Sequence, residues 1–95
     1  MKIAIVTDAW RPQTNGVVQT LSTTAQTLRA DGHEVMVVEP SQFRTFPCPT
    51  YPEIRLAWLP YRRLAPLLRD FAPDCVHVAT EGTLGIAARR WCLRQ

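Results

Sequence analysis

The chain has 95 residues, 46% of them apolar and 20% charged, with a formal net charge of +3. That length allows one small domain, that balance excludes a disordered chain, and no apolar run approaches the ~20 residues of a membrane-spanning helix. The surplus charge lies in the second half, on Arg62, Arg63, Arg69, Arg89, Arg90 and Arg94. It is too small and too poor in interleaved aromatic residues for a nucleic-acid surface, but it suits solvated helix faces, a phosphate-bearing ligand or an anionic membrane.

The run KIAIV (2–6) is continuous, apolar and rich in β-branched residues, which predicts a strand buried on both faces of a parallel sheet. After a long polar joint, Val18, Leu21, Ala25 and Leu28 recur at helical spacing, and Gly32 reads as the C-cap of that helix. EVMVVE (34–39) predicts a second buried strand, completing a βαβ unit. Prolines crowd the stretch from Pro40 to Pro52, which predicts an irregular loop, and EIRLAWL (53–59) predicts a short strand at a sheet edge. Leu64, Leu67, Leu68 and Phe71 form the stripe of a helix over about 61–72, with Pro66 either in its first turn or at a kink. DCVHVAT (74–80) predicts another buried parallel strand, and Leu84, Ala87, Ala88, Trp91 and Cys92 form the inner face of a last helix. Alternating strands and helices imply a doubly wound α/β fold with ligands beyond the carboxyl ends of its strands.

Cys48, Cys75 and Cys92 have no paired spacing, so free thiols in a reducing compartment are expected, with Cys75 in the core. His33 and His77 complete no zinc pattern, and no metal site is expected. The apolar stretch IAIV is far shorter than a secretory signal and soon meets Asp8, which predicts a cytoplasmic chain.

Two joints lie at the expected ligand edge, Asp8 to Gly16 and Thr80 to Thr83. A strand-to-helix joint needs only two to six residues, so the first is longer than the fold requires. It closes with Asn15-Gly16 before a helix, where free amides and the helix dipole favour a phosphate or carboxylate and Gly16 lets an anion approach the backbone. A good turn pair with a helix cap accounts for the same two residues. Asp8 and Trp10 offer a carboxylate and an indole to a sugar, or else a loop cap and a cover for the sheet end. Glu39 stands where a dinucleotide fold keeps its ribose acid, but the joint has one glycine instead of the three in G-x-G-x-x-G, which excludes a nicotinamide or flavin site. His77 reads either as a core histidine or as a functional one, and Glu81-Gly82 forms a second polar edge.

The segment MKIAIVTDAWRPQTNGVVQTL resembles the opening of family 4 glycosyltransferases, with their T-D-x-[WF]-x-P-x-x-N-G-V joint, and PDCVHVATEGTLGIAARRWCLR resembles a second stretch of that family. RTFPCPTYPEIRLAW is similar to a bacterial, mannosyltransferase-like branch, so the resemblance covers essentially the whole chain. It implies a Rossmann-like parallel sheet with flanking helices, forming part of the N-terminal domain of a GT-B architecture. It also implies a retaining hexosyl transfer, by front-face attack without a protein nucleophile, from a nucleoside diphosphate sugar to a sugar or lipid acceptor.

On that resemblance Asn15, Gly16 and Val17 face the donor diphosphate and the acceptor, while His77, Glu81 and Gly82 lie on the acceptor side. No cofactor and no metal is implied beyond the nucleotide-sugar substrate. Two positions depart from the pattern: Thr83 replaces a usual proline, and Ala79 stands where some branches carry a histidine, which leaves His77 the sole histidine candidate for catalysis. The donor-binding domain with its E-x7-E motif is missing, so residues 1–95 are expected to be an incomplete acceptor-side domain, inactive alone, with peripheral membrane contact through Arg62, Arg63 and Arg69 if the acceptor is a lipid. The alternatives are a non-catalytic remnant or a Rossmann-like binding module. A phosphorylatable receiver domain needs an acidic pair and a late lysine, and Asp8 stands alone while Lys2 is the sole lysine.

Overall fold

A computed structural model describes residues 1–9, 16–49, 55–80 and 82–95. Strand β1 (Lys2–Val6) is central, with β2 (Glu34–Val38) on one side and β5 (Cys75–Val78) on the other, both parallel to it. Ile5 stands opposite Val37 and His77, and Val6 opposite Val38 and Val78.

Because successive side chains of a strand point to opposite faces, β1 serves two cores. Ile3 and Ile5 pack with Leu21 and Ala25 of α1 (Gly16–Ala30) on one face. Ala4 and Val6 pack on the other with Leu64 and Leu68 of α2 (Tyr61–Phe71) and Leu84, Ala87 and Ala88 of α3 (Thr83–Leu93). Helices on both faces of a parallel sheet make the fold α/β and Rossmann-like.

Helix α1 forms from the predicted stripe, with Val18, Leu21 and Ala25 buried. Gly32 ends it at φ 90, in the left-handed region where glycine meets no Cβ penalty. The amides of Gly32 and His33 donate to the carbonyls of Arg29 (3.1 Å) and Leu28 (3.1 Å), the two bonds of a Schellman cap. Pro66 lies within α2, beyond its first turn, and the helix runs on to Phe71, so the first-turn reading does not hold.

Two expectations need correction. The loop expected from Pro40 to Pro52 contains a 3-10 turn (Pro40–Gln42) and a strand, β3 (Thr45–Pro47), which pairs antiparallel with β4 (Arg55–Ala57). The strand expected over 53–59 therefore joins a separate two-stranded ribbon, whose Ala57 packs into the same core as Ala4 and Val6; residues 53 and 54 lie outside the described residues. Pro47 ends β3, a position where the missing N–H costs the ladder little. The Trp58 amide donates to the Arg44 carbonyl (2.6 Å), and the rings of Phe46 and Trp58 meet edge-on with centroids 5.5 Å apart.

β5 is the second correction. It is parallel, as expected, but Cys75 and His77 are exposed and Val78 is 37% exposed. The alternation of β5 places Cys75 and His77 on the face opposite Val76, which packs into the α2–α3 core. Among the described residues no strand pairs with the outer edge of β5. Cys75 and His77 are thus not core residues. Cys92, expected to face inward on α3, is also largely exposed, although partial burial pushes its thiol above the ordinary range.

Candidate functional site

The carboxyl ends of the three parallel strands meet where β1 runs on through Thr7 into Asp8. The Thr7 amide donates to the Val38 carbonyl (3.0 Å) and the Ala79 amide to the Val6 carbonyl (2.9 Å), so the sheet stays zipped to its mouth. The buried Thr7 hydroxyl donates to the Ala9 carbonyl (2.9 Å) and accepts from the Ala9 amide (3.0 Å), which turns the chain out of the strand.

Asp8 is buried, and its carboxylate holds the other end of the molecule. It accepts from the Thr80 hydroxyl (2.7 Å), the Leu84 amide (2.8 Å) and the Gly85 amide (3.3 Å), while its own amide donates to the Thr80 hydroxyl (2.7 Å). The flanking residue Gly82 has no side chain with which to cap α3. Asp8 supplies that cap from 76 residues away, with a negative charge at the positive end of the helix.

Two glycines make the approach possible. A Cβ on Gly82 would lie 2.4 Å from the Asp8 carboxyl carbon, and one on Gly85 would lie 1.8 Å from the Thr80 carbonyl oxygen. Both contacts are shorter than any real side chain tolerates, so Gly82 and Gly85 are glycines for close packing of α3 on the strand ends. Thr80 and Gly85 were not among the residues singled out from sequence. The only available hint was the glycine spacing in EGTLG, which also fits an ordinary helix entry.

Gly16 differs from both. It opens α1, and among the described residues a Cβ there would meet nothing within 4 Å. Gly32 is the one described glycine with positive φ, so among the described residues neither packing nor backbone conformation asks for glycine at 16. Val17 beside it is 46% exposed. The start of α1 carries the positive end of the helix dipole, with no acidic residue in its first turn. Trp10, Asn15 and Glu81 lie outside the described residues.

His77 sits opposite Ile5 in mid-strand, one pairing before the Val6–Val78 pair that ends the ladder. Glu39, excluded above as a ribose ligand, is occupied locally: its carboxylate accepts from the amide (2.9 Å) and hydroxyl of Ser41, and its amide donates to Gln42 Oε1 (2.9 Å).

The profile described as Glycosyltransferase Family 4 matches residues 14–95, which takes in the start of α1 and the whole Asp8-capped helix α3. The chain belongs to glycosyltransferase family 4. Three members of similar sequence are described as GDP-mannose-dependent alpha-mannosyltransferases. That of Mycolicibacterium smegmatis is 32% identical over 102 residues, covering 90% of this chain and 27% of the relative. That of Mycobacterium tuberculosis is 31% identical, covering 95% and 29%, and that of Corynebacterium glutamicum 27% identical, covering 93% and 25%. The family 4 chain in hand thus spans about a quarter of the length of these curated relatives. No solved structure matches it significantly.

Proposed function

We propose that this family 4 chain forms part of the acceptor-side, N-terminal domain of a retaining glycosyltransferase of GT-B architecture. On this reading a second domain grips the sugar nucleotide, and the enzyme moves a hexosyl group to a sugar or lipid acceptor. Mannose from GDP-mannose is the favoured donor because the three similar relatives bear that description.

The observation that carries the proposal is Gly16, a glycine at a helix start that neither φ nor packing among the described residues demands. A ligand approaching the backbone is a sufficient reason for it. As the bond from the anomeric carbon to the diphosphate breaks, negative charge grows on the leaving phosphate. Amides at the start of α1, including those of Gly16 and Val17, are fixed before the reaction and strengthen their hold as that charge develops. By the family pattern, Asn15 is assigned to the donor diphosphate and the acceptor, and Glu81 to the acceptor. Gly82 lets Asp8 hold α3 in place, so Asp8 acts as a positioning residue, and His77 is the candidate for proton transfer.

The 95 residues alone are then expected to turn over no GDP-mannose. A chimera in which they replace the matched segment of the M. smegmatis relative is expected to transfer mannosyl groups, and Gly16→Ala in that chimera to lower the rate about tenfold or more with no fall in melting temperature. A folded chimera whose activity ignores Gly16→Ala contradicts the assignment.

A further inference from the structure

The two outer edges of the parallel sheet differ. The Glu34 amide donates to the Met1 carbonyl (3.0 Å) and the Val38 carbonyl accepts from the Thr7 amide (3.0 Å), so alternation turns the Val35 carbonyl to the outer edge of β2. The Arg29 guanidinium donates to that carbonyl (2.9 Å), and a charged side chain laid along an edge keeps further strands away. β5 has no such guard. Among the described residues no side chain bonds the backbone of Cys75 to Val78, and no strand pairs with its outer edge. Beside that edge, β5 and α3 leave a groove of about 550 Å³ lined by Val76, Val78, Ile86, Arg89 and Cys92, with Ile86 64% exposed.

The charges along this edge complement one another. Asp74, Val76 and Val78 share the α3 face of the strand by alternation. Asp74 is exposed, and one of its oxygens accepts from the Lys2 amide (2.6 Å). Gly85 lies against Thr80 and Val78, so Arg89, about one helical turn further along α3, stands over Val78. Among the described residues no carboxylate pairs with Arg89.

We propose that β5 pairs antiparallel with β5 of a second copy of this chain, about a two-fold axis at Val76. Two three-stranded sheets then join into one of six strands, with α3 of each copy on the same face. Val76 meets the partner's Val76, Cys75 the partner's His77, and Asp74 the partner's Val78, beneath the partner's Arg89. Charge selects this arrangement, because the two-fold axis forms the Asp74–Arg89 pair twice. An axis at His77 would set two histidines face to face and carry Asp74 on to the partner's Thr80. Arg29 still guards β2, so assembly stops at two copies. Dimer formation is independent of the transferase reading.

Sedimentation velocity on the 95-residue chain tests this pairing, and a dimer with Kd on the order of 10 μM is expected. Asp74→Arg and Arg89→Asp each weaken it about tenfold, whereas the double variant, with the parent's net charge, recovers to within about threefold. His77→Cys places a thiol about 5 Å, Cβ to Cβ, from the partner's Cys75, within reach of a disulfide. After oxidation a non-reducing gel is expected to show a covalent dimer for His77→Cys, and none for the parent or for His77→Cys combined with Cys75→Ser. A chain still monomeric at about 100 μM, assembly beyond two copies, a double variant as weak as the single ones, or a covalent dimer without Cys75 each overturns the proposal.

Discussion

Asp8→Ala is expected to melt roughly 20 °C below the parent chain, which for a domain of this size corresponds to about 3–4 kcal/mol. The variant removes a carboxylate that accepts from Thr80, Leu84 and Gly85, and it leaves the two amides buried at the start of α3 without an acceptor. Hydrogen bonds to a charged group contribute about 1.5–3 kcal/mol each, and the helix dipole adds to them. Against a total stability of about 5–14 kcal/mol for a domain of 95 residues, the loss is large. Asp8→Asn keeps one acceptor oxygen and is expected to recover part of the loss, and Thr80→Val to cost about 1–2 kcal/mol. Because Thr80 and Asp8 share one network, their double variant should fall short of the sum. Thermal melts followed by circular dichroism measure all of this. A melting point for Asp8→Ala within a few degrees of the parent would show that α3 is held by its apolar face alone.

The second large effect separates three glycines that look alike in the sequence. Gly85→Ala places a methyl group on the Thr80 carbonyl, 1.8 Å from oxygen and 2.8 Å from carbon. Both contacts are to backbone, so relief requires moving α3 away from β5, and the expected cost exceeds about 3 kcal/mol. Gly82→Ala meets the Asp8 carboxylate at 2.4–2.7 Å and displaces the cap, at an expected cost of about 2–3 kcal/mol. Gly16→Ala meets nothing among the described residues and replaces glycine in a helix, so it is expected to leave stability unchanged or to raise it by up to about 1 kcal/mol. Denaturant unfolding of the three variants gives the order directly. A destabilised Gly16→Ala would mean that glycine at 16 serves the fold, and the reason for placing a ligand there would disappear.

Patterns that depend on neighbours in sequence were the legible ones. Ile3, Ile5 and the stripe Val18–Leu21–Ala25 announce β1 and α1, Gly32 announces the cap, and Leu64 and Leu68 announce α2, because burial there follows the local period. One strand of the ribbon was legible in EIRLAWL, whereas its partner β3 escaped because three residues are too few to show alternation and Pro47 argues against a strand. The apolar run CVHV reads as a buried strand, but burial is set by what lies across its faces and along its outer edge. Sequence periodicity does not contain that information.

The site divides in the same way. Gly16 stands out in the sequence because Asn15-Gly16 closes a joint longer than the fold requires. The alliance of Asp8 with Thr80, Leu84 and Gly85 was not, since it closes over 72 to 77 residues. The reading of Asp8 as a loop cap identified the type of interaction and missed the helix it serves. The unbalanced arginines were visible as a charge surplus, whereas their convergence on Tyr61 required the packing of α2 on α3.

The claim that the start of α1 receives the charged part of a sugar nucleotide is tested most directly by amide chemical shifts in the 95-residue chain. GDP-mannose is titrated at constant ionic strength, with sodium sulfate as the matched control. The account predicts that the largest GDP-mannose-specific shifts fall on the amides of Gly16 and Val17 and shrink in Gly16→Ala. Shifts no larger than those from the salt, or centred on the starts of α2 or α3 instead, would contradict it.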